Sequence, residues 1–210
     1  MPHGNGNGYG YGYGNGNGWT ATVVAAALST VLVGCSQGGR RGDAATAAAD
    51  PPARLTLTSS VFSDGSTIPV RHTADAEDLS PPLRWSAPPA GTAELALVCH
   101  DPDAPRPGGW VHWVIFGLSP ALRELPEDVD KIARPSDVSG AVQGTNDFGD
   151  TSWGGPSPPR GHGVHHYHFV LYALDRPSGL ARGARMAELE SAIRGHILAR
   201  GELVGTYERR

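Results

Sequence analysis

Cysteine and lysine are nearly missing from this chain. Cys35 and Cys99 are the only two cysteines in 210 residues, and Lys131 is the single lysine among 17 basic residues. The arginine excess reads as genomic base bias before function. A net charge of −4 with pI near 6.1 offers no bulk attraction to nucleic acid. Long apolar runs are missing too. The longest uncharged, mostly apolar stretch is Trp19 to Gly34, short of the roughly 20 residues a membrane span needs. From Leu55 to Arg210 no Gly-x-Ser-x-Gly elbow occurs, which removes one common hydrolase signature from that stretch. Glycine and proline, by contrast, are abundant. With 29 glycines and 18 prolines they make about 22% of the chain against a usual share of roughly 12%. That excludes a helical bundle or a coiled coil and favours a loop-rich β protein.

The excess is uneven. Residues 1–42 hold 12 of the 29 glycines, and residues 1–34 carry no acidic or basic side chain besides His3. Gly4 to Gly18 alternate Gly with Asn or Tyr, a low-complexity tract with nothing to pack. The apolar stretch after it ends Leu32-Val33-Gly34-Cys35-Ser36, which resembles a bacterial lipobox. A thiolate there is the nucleophile for thioether formation, and two acyl chains give stable attachment. The expected organisation is a prefix and lipoprotein signal over 1–34, a flexible Ala/Gly/Asp/Pro tether over 35–54, and a folded domain over 55–210. The domain would sit on the outer face of a cell membrane, or be secreted if Cys35 is only a chance cysteine behind a plain signal. Lipidation of Cys35 leaves Cys99 alone, so no disulfide is expected.

Within the domain, short runs with period-2 alternation lie between Pro/Gly clusters. Leu55–Ser59, Leu95–Cys99, Val111–Phe116 and Tyr167–Leu174 read as strands. Met186–Arg200 has helical spacing, with Leu189, Ile193 and Ile197 on one face, although Gly195 weakens it. The fold class expected is mainly β: an antiparallel β-sandwich with a C-terminal helix and long, proline-rich connections.

Three segments carry chemistry. Asp101-Pro102-Asp103-Ala104-Pro105 follows the second strand directly. Its prolines end the ladder and stiffen a loop that presents two carboxylates. In Trp110-Val111-His112-Trp113, alternation puts Trp110 and His112 on one face and Val111 and Trp113 on the other. Gly154 to Gly163 is a Gly/Pro-dense loop whose backbone N–H groups could meet an anion. It feeds a strand on which His165, Tyr167 and Phe169 share a face opposite His166 and His168. Four histidines between 162 and 168 suggest a metal site, but the same-face pairs are split across the strand and no cysteine joins them. No metal and no cofactor are therefore expected.

These motifs resemble the phosphatidylethanolamine-binding protein family, in its bacterial YbhB/YbcL-type, Raf-kinase-inhibitor-like branch. The resemblance runs from Leu55 to Arg209. It includes Phe62-x-Asp64-Gly65-x-x-Ile68-Pro69, Ser80-Pro81-Pro82-Leu83-x-Trp85, the Asp-Pro-Asp-Ala-Pro run and Trp110-x-His112-Trp113. It continues through Gly144-x-Asn146-Asp147-Phe148-Gly149, Gly161-His162-Gly163-x-His165-x-Tyr167 and Leu203-x-Gly205-x-Tyr207. The resemblance implies a β-sandwich with a small anion pocket at one end. Its residues carry over as Asp101, Trp110, His112, His165 and Tyr167. Asp103, Pro159 and Gly161 fall at the rim, and Tyr207 is a lid candidate. Trp153, Ser157 and His166 depart from the branch's usual Tyr, Cys and Arg. The implied function is a non-enzymatic binding protein for phosphate, a phosphorylated lipid headgroup or a carboxylate. The alternatives are an inhibitor docking a kinase- or protease-type protein partner through the pocket rim, and a hydrolase built on the His/Asp groups.

Overall fold

The structure, a computed structural model, describes residues 52–210. The signal segment, the lipidation site at Cys35 and the tether as far as residue 51 lie outside the described residues.

Among the described residues ten strands make two sheets. In the larger, β1 (Ala53–Arg54), β10 (Ile197–Glu208), β9 (Val164–Leu174), β5 (Glu94–Asp101), β6 (Trp110–Leu118) and β8 (Val142–Gln143) lie side by side in that order. A further strand, β3 (Ser66–Thr67), also pairs with β10. The smaller sheet is β2 (Leu57–Ser59), β4 (Leu83–Trp85) and β7 (Glu124–Leu125). The long central pairings are antiparallel, while β1 and β3 run parallel to β10.

Burial explains why the central strands read as nearly continuous apolar runs. Leu95, Leu97 and Cys99 of β5 face the small sheet, packing with Leu57, Leu83 and Trp85. Ala96 and Val98 face the other way, against Val114, Phe116 and the helix α1 (Met186–Ile193), which contributes Leu189 and Ile193. A strand covered on both faces has no solvent side to fill with polar residues. Cys99 is a free, fully buried thiol whose burial pushes its pKa well up, so it is a packing residue.

The helix is shorter than its spacing suggests. It ends at Ile193; Gly195 takes φ +79° and His196 N–H donates to the Ile193 carbonyl at 2.9 Å. Ile197 therefore leaves the helical face and opens β10, where alternation takes over: Ala199, Gly201, Leu203 and Gly205 point inward. Two of these are glycines of necessity. A Cβ on Gly201 would lie 2.8 Å from the Leu55 carbonyl oxygen, and one on Gly205 would lie 2.5 Å from Ile68 Cγ1. The first expected strand is also trimmed to Leu57–Ser59; buried Leu55 instead donates its N–H to the Arg200 carbonyl at 2.9 Å.

Strict alternation also fails at two register shifts in β6, one of them beside the site. Cys99 pairs with Trp113 but His100 pairs with Val111, so the register slips by one residue at His112. Val111 consequently packs on the helix side, whereas Trp113 joins the sandwich core and sits on Trp153. Trp113 thus shares a side with His112 rather than with Val111, the reverse of the alternation expected. Such a bulge re-aims a side chain next to a site, here the imidazole of His112.

Candidate functional site

At one end of the sandwich, β5, β6 and β9 converge on a cavity of about 250 Å³. Asp101 closes β5 and pairs with Trp110, the first residue of β6. Pro102 cannot continue the ladder, and Asp101 Oδ1 turns the chain by accepting the Asp103 N–H at 2.8 Å. The return loop closes on Gly109, where a Cβ would lie 2.4 Å from the Asp101 carbonyl oxygen. Both halves of the hairpin are thereby fixed at the cavity wall.

Of the residues expected at the pocket, Asp101, Trp110, His112, Pro159, His165 and Tyr167 all line this cavity. Asp103 does not. Its Oδ2 takes the backbone N–H of His166 at 2.8 Å and faces His166 Nδ1 at 2.7 Å, bracing the loop against β9. Gly161 is exposed outside the cavity. Tyr207 lies across from His165 on β10, but its hydroxyl donates to Asp75 at 2.9 Å, and Asp75 also holds Arg209. It anchors the chain end instead of covering the pocket.

The expectation of free backbone N–H groups in the Gly154–Gly163 loop is corrected at four of its seven amides. Gly154 donates to the His112 carbonyl, Gly155 to Asp78 Oδ1, Gly161 to the Arg209 carbonyl and His162 to the Pro159 carbonyl. These four amides are spent on holding the loop.

Sequence reasoning missed Phe148 as a wall. Asn146, fully buried, builds the turn that presents it: Oδ1 accepts the N–H groups of Phe148 and Asp150 at 3.0 and 2.9 Å, and Nδ2 donates to the Ser152 carbonyl. Asp147 ties the same turn to β6 by accepting the Val111 N–H. The Phe148 ring stands edge-on to Trp110 at 5.2 Å and to His112 at 5.5 Å, and is 45% exposed. An aromatic set between Asn146-Asp147 and Gly149, a turn composition, is the signal available in the sequence.

The titratable groups divide sharply. His112 Nδ1–H donates to the Gly154 carbonyl at 2.6 Å. Burial pushes this imidazole down to about 4, against smaller upward pulls from that carbonyl and from Asp101, so it is neutral at pH 7. Burial, then the charge of Asp101, pushes the Tyr167 phenol well up and keeps it a neutral donor. Asp101 Oδ2 and His165 Nδ1 meet at 2.7 Å with both side chains buried. The second nitrogen of His165, Nε2, lies 2.7 Å from His162 Nδ1. Both ring nitrogens of His165 are thus engaged within the protein. Two other groups are not: among the described residues the buried Trp110 indole N–H and the Tyr167 hydroxyl have no partner. Among the same residues, no three His, Cys, Asp or Glu side chains stand together as a metal-holding set.

The comparisons agree with this architecture. The family model described as Phosphatidylethanolamine-binding protein matches residues 58–208. A UPF0098 protein of Pyrococcus horikoshii, PH1269, is 39% identical over 189 residues, covering 90% of this chain and 88% of its own. Mycobacterium tuberculosis has a relative named Putative lipoprotein LppC, 38% identical over 196 residues, covering 87% of this chain and 92% of its own. The crystal structure of E. coli YbcL, described as a new member of the mammalian PEBP family, superposes with a TM-score of 0.70 at 31% identity, covering 75% of this chain and all of YbcL. With the family's pattern matched over most of the chain and its fold reproduced at this identity, the chain belongs to the phosphatidylethanolamine-binding protein family.

Proposed function

We propose that this protein is a binding module held at the outer face of a membrane by lipid on Cys35, with a pocket for a small anion: phosphate, a phosphorylated headgroup or a carboxylate. The observation that carries the pocket reading is the pair of buried, unpartnered donors, Trp110 Nε1–H and Tyr167 O–H, lining one cavity. A buried donor without an acceptor is costly, on the order of 1–3 kcal/mol each. An oxyanion placed between them removes that cost for both. Phe148, Pro158 and Pro159 supply apolar walls that keep water from competing. Binding is favoured over hydrolysis by where the Asp101–His165 pair leads: it ends on His162 rather than on a serine hydroxyl.

The anchor rests on the Leu32–Cys35 pattern and on LppC. The likeness to LppC spans 87% of this chain, more than residues 52–210 supply, so it reaches upstream into the segment that holds Cys35.

Titrating the ¹⁵N-labelled protein with inorganic phosphate and with phosphoethanolamine tests the pocket. The Trp110 indole signal should shift on binding, and Tyr167→Phe should weaken affinity roughly 5- to 10-fold while the domain stays folded. Unchanged affinity in Tyr167→Phe would remove the orphaned donors from the argument. Mass spectrometry of the mature protein from native membranes tests the anchor; a Cys35 without diacylglycerol would discard it.

A further inference from the structure

We propose that His162 is a displaceable gate on this pocket, an affinity-setting residue that occupies His165 in the free protein and yields to the anion when it binds. The inference rests on the anion reading above and deepens it.

The starting point is the tautomer of His165. Asp101 is buried, and its Oδ2 lies 2.7 Å from His165 Nδ1. A carboxylate accepts, so Nδ1 carries the hydrogen. When Nε2 carries no hydrogen it offers a lone pair and accepts from His162 Nδ1–H, the two nitrogens lying 2.7 Å apart. The pocket therefore has an imidazole in its wall, yet that imidazole presents no N–H to a ligand. For His165 to serve an anion, it must take a proton on Nε2 and lose His162. The buried Asp101 carboxylate is placed to stabilise the imidazolium so formed.

His162 is suited to leaving. It is exposed, whereas His165 is 1% exposed. It sits between Gly161 and Gly163, with φ of +74° and +90°, and neither glycine has an atom within 4 Å of where a Cβ would stand. The backbone stays tied by the Gly161 and His162 N–H bonds, so the imidazole leaves by side-chain rotation alone. The remaining histidines of this cluster are committed elsewhere, His166 to Asp103 and His168 to Glu202. His162 alone among them hydrogen-bonds a cavity-lining imidazole, and its departure frees His165 Nε2.

The experiment compares the intact protein with His162→Ala for affinity toward inorganic phosphate and toward phosphoethanolamine. It also follows the imidazole nitrogens of His162 and His165 by NMR. Removing a competing internal hydrogen bond should tighten binding roughly 5-fold. In the unaltered protein, adding either anion should move the His162 nitrogens to free-imidazole positions while His165 gains its second proton. If the protein binds and His162→Ala binds equally or more weakly, the gate is overturned and the pocket stands; a weakening would make His162 a ligand donor itself. If neither form binds either anion, both readings fall together. A response to phosphoethanolamine alone would assign the site to the headgroup, and an equal response to both to the phosphate.

Discussion

Two neighbours on β9 make the same bond in opposite surroundings. His165 and His166 each place Nδ1 2.7 Å from an aspartate Oδ2, on Asp101 and Asp103 of one short loop. The side chains of the first pair are 1% and 4% exposed, those of the second 49% and 41%. Bond length therefore does not separate them; solvent does. In the buried pair each partner is the other's main compensation for lost hydration, so deleting one leaves an uncompensated polar group. In the exposed pair water stands ready to replace either partner, and the interaction is a brace between loop and strand. The strand's two-residue period assigns these roles, because it sends adjacent imidazoles to opposite faces.

The harshest way to break this contrast is Asp101→Asn. The amide oxygen can accept from His165 Nδ1 or from the Asp103 N–H, but the amide nitrogen must then face the other donor. The expected loss is about 3 kcal/mol of stability by urea unfolding, together with loss of phosphate binding. A cost no larger than that of the same change at Asp103 would show that burial does not set the difference.

His112 sharpens the contrast by pH. Its folded value of about 4 lies below the ordinary imidazole value of 6.5 because of burial. Between those values the unfolded chain binds the proton and the folded protein does not. Stability is therefore lost as pH falls from 6.5 to 4, on the order of 3 kcal/mol if fully expressed. An anion in the cavity reverses the preference, since it favours the imidazolium. Affinity for sulfate, whose charge is constant over this range, should rise as pH falls from 7 toward 4. His112→Gln should flatten both slopes, as read by urea titrations and by calorimetry at matched pH. A sulfate affinity that falls with acid would place His112 outside the anion's reach.

The long strands, the helix α1 and the cavity wall were largely legible because they rest on local rules. Apolar runs, alternation and proline stops identify β5, β6 and β9, and the motif resemblance adds Asp101, Trp110, His112, His165 and Tyr167, all of which line one cavity. What failed depends on partners far along the chain. The bulge that turns Trp113 inward comes from pairing with Cys99 and His100, and no periodicity within β6 encodes it. Helical spacing over Ile197–Arg200 yielded to the ladder with β9, which supplies more hydrogen bonds than one further turn of helix after Gly195. The amides of Gly155 and Gly161 looked available because their acceptors, Asp78 and the Arg209 carbonyl, come from distant segments. Phe148 and His162 were visible as residues but not as neighbours, since turn closure brings the first to the wall and the second to His165.

The smallest effect belongs to the exposed brace. Burial pulls the Asp103 carboxyl up, but the side-chain and backbone hydrogen bonds of His166 carry it below its ordinary value. What the brace contributes is therefore present above the ordinary carboxylate range and fades as pH falls through the lowered value. Asp103→Ala should cost less than about 1 kcal/mol at pH 7, and less still in high salt. Phosphate affinity should stay within roughly two-fold, because the Asp103 side chain does not line the cavity and water can accept the released His166 N–H. A loss of binding comparable to that of Asp101→Asn would mean that the loop's tilt on β9 positions Asp101, making the exposed pair a positioning device for the buried one.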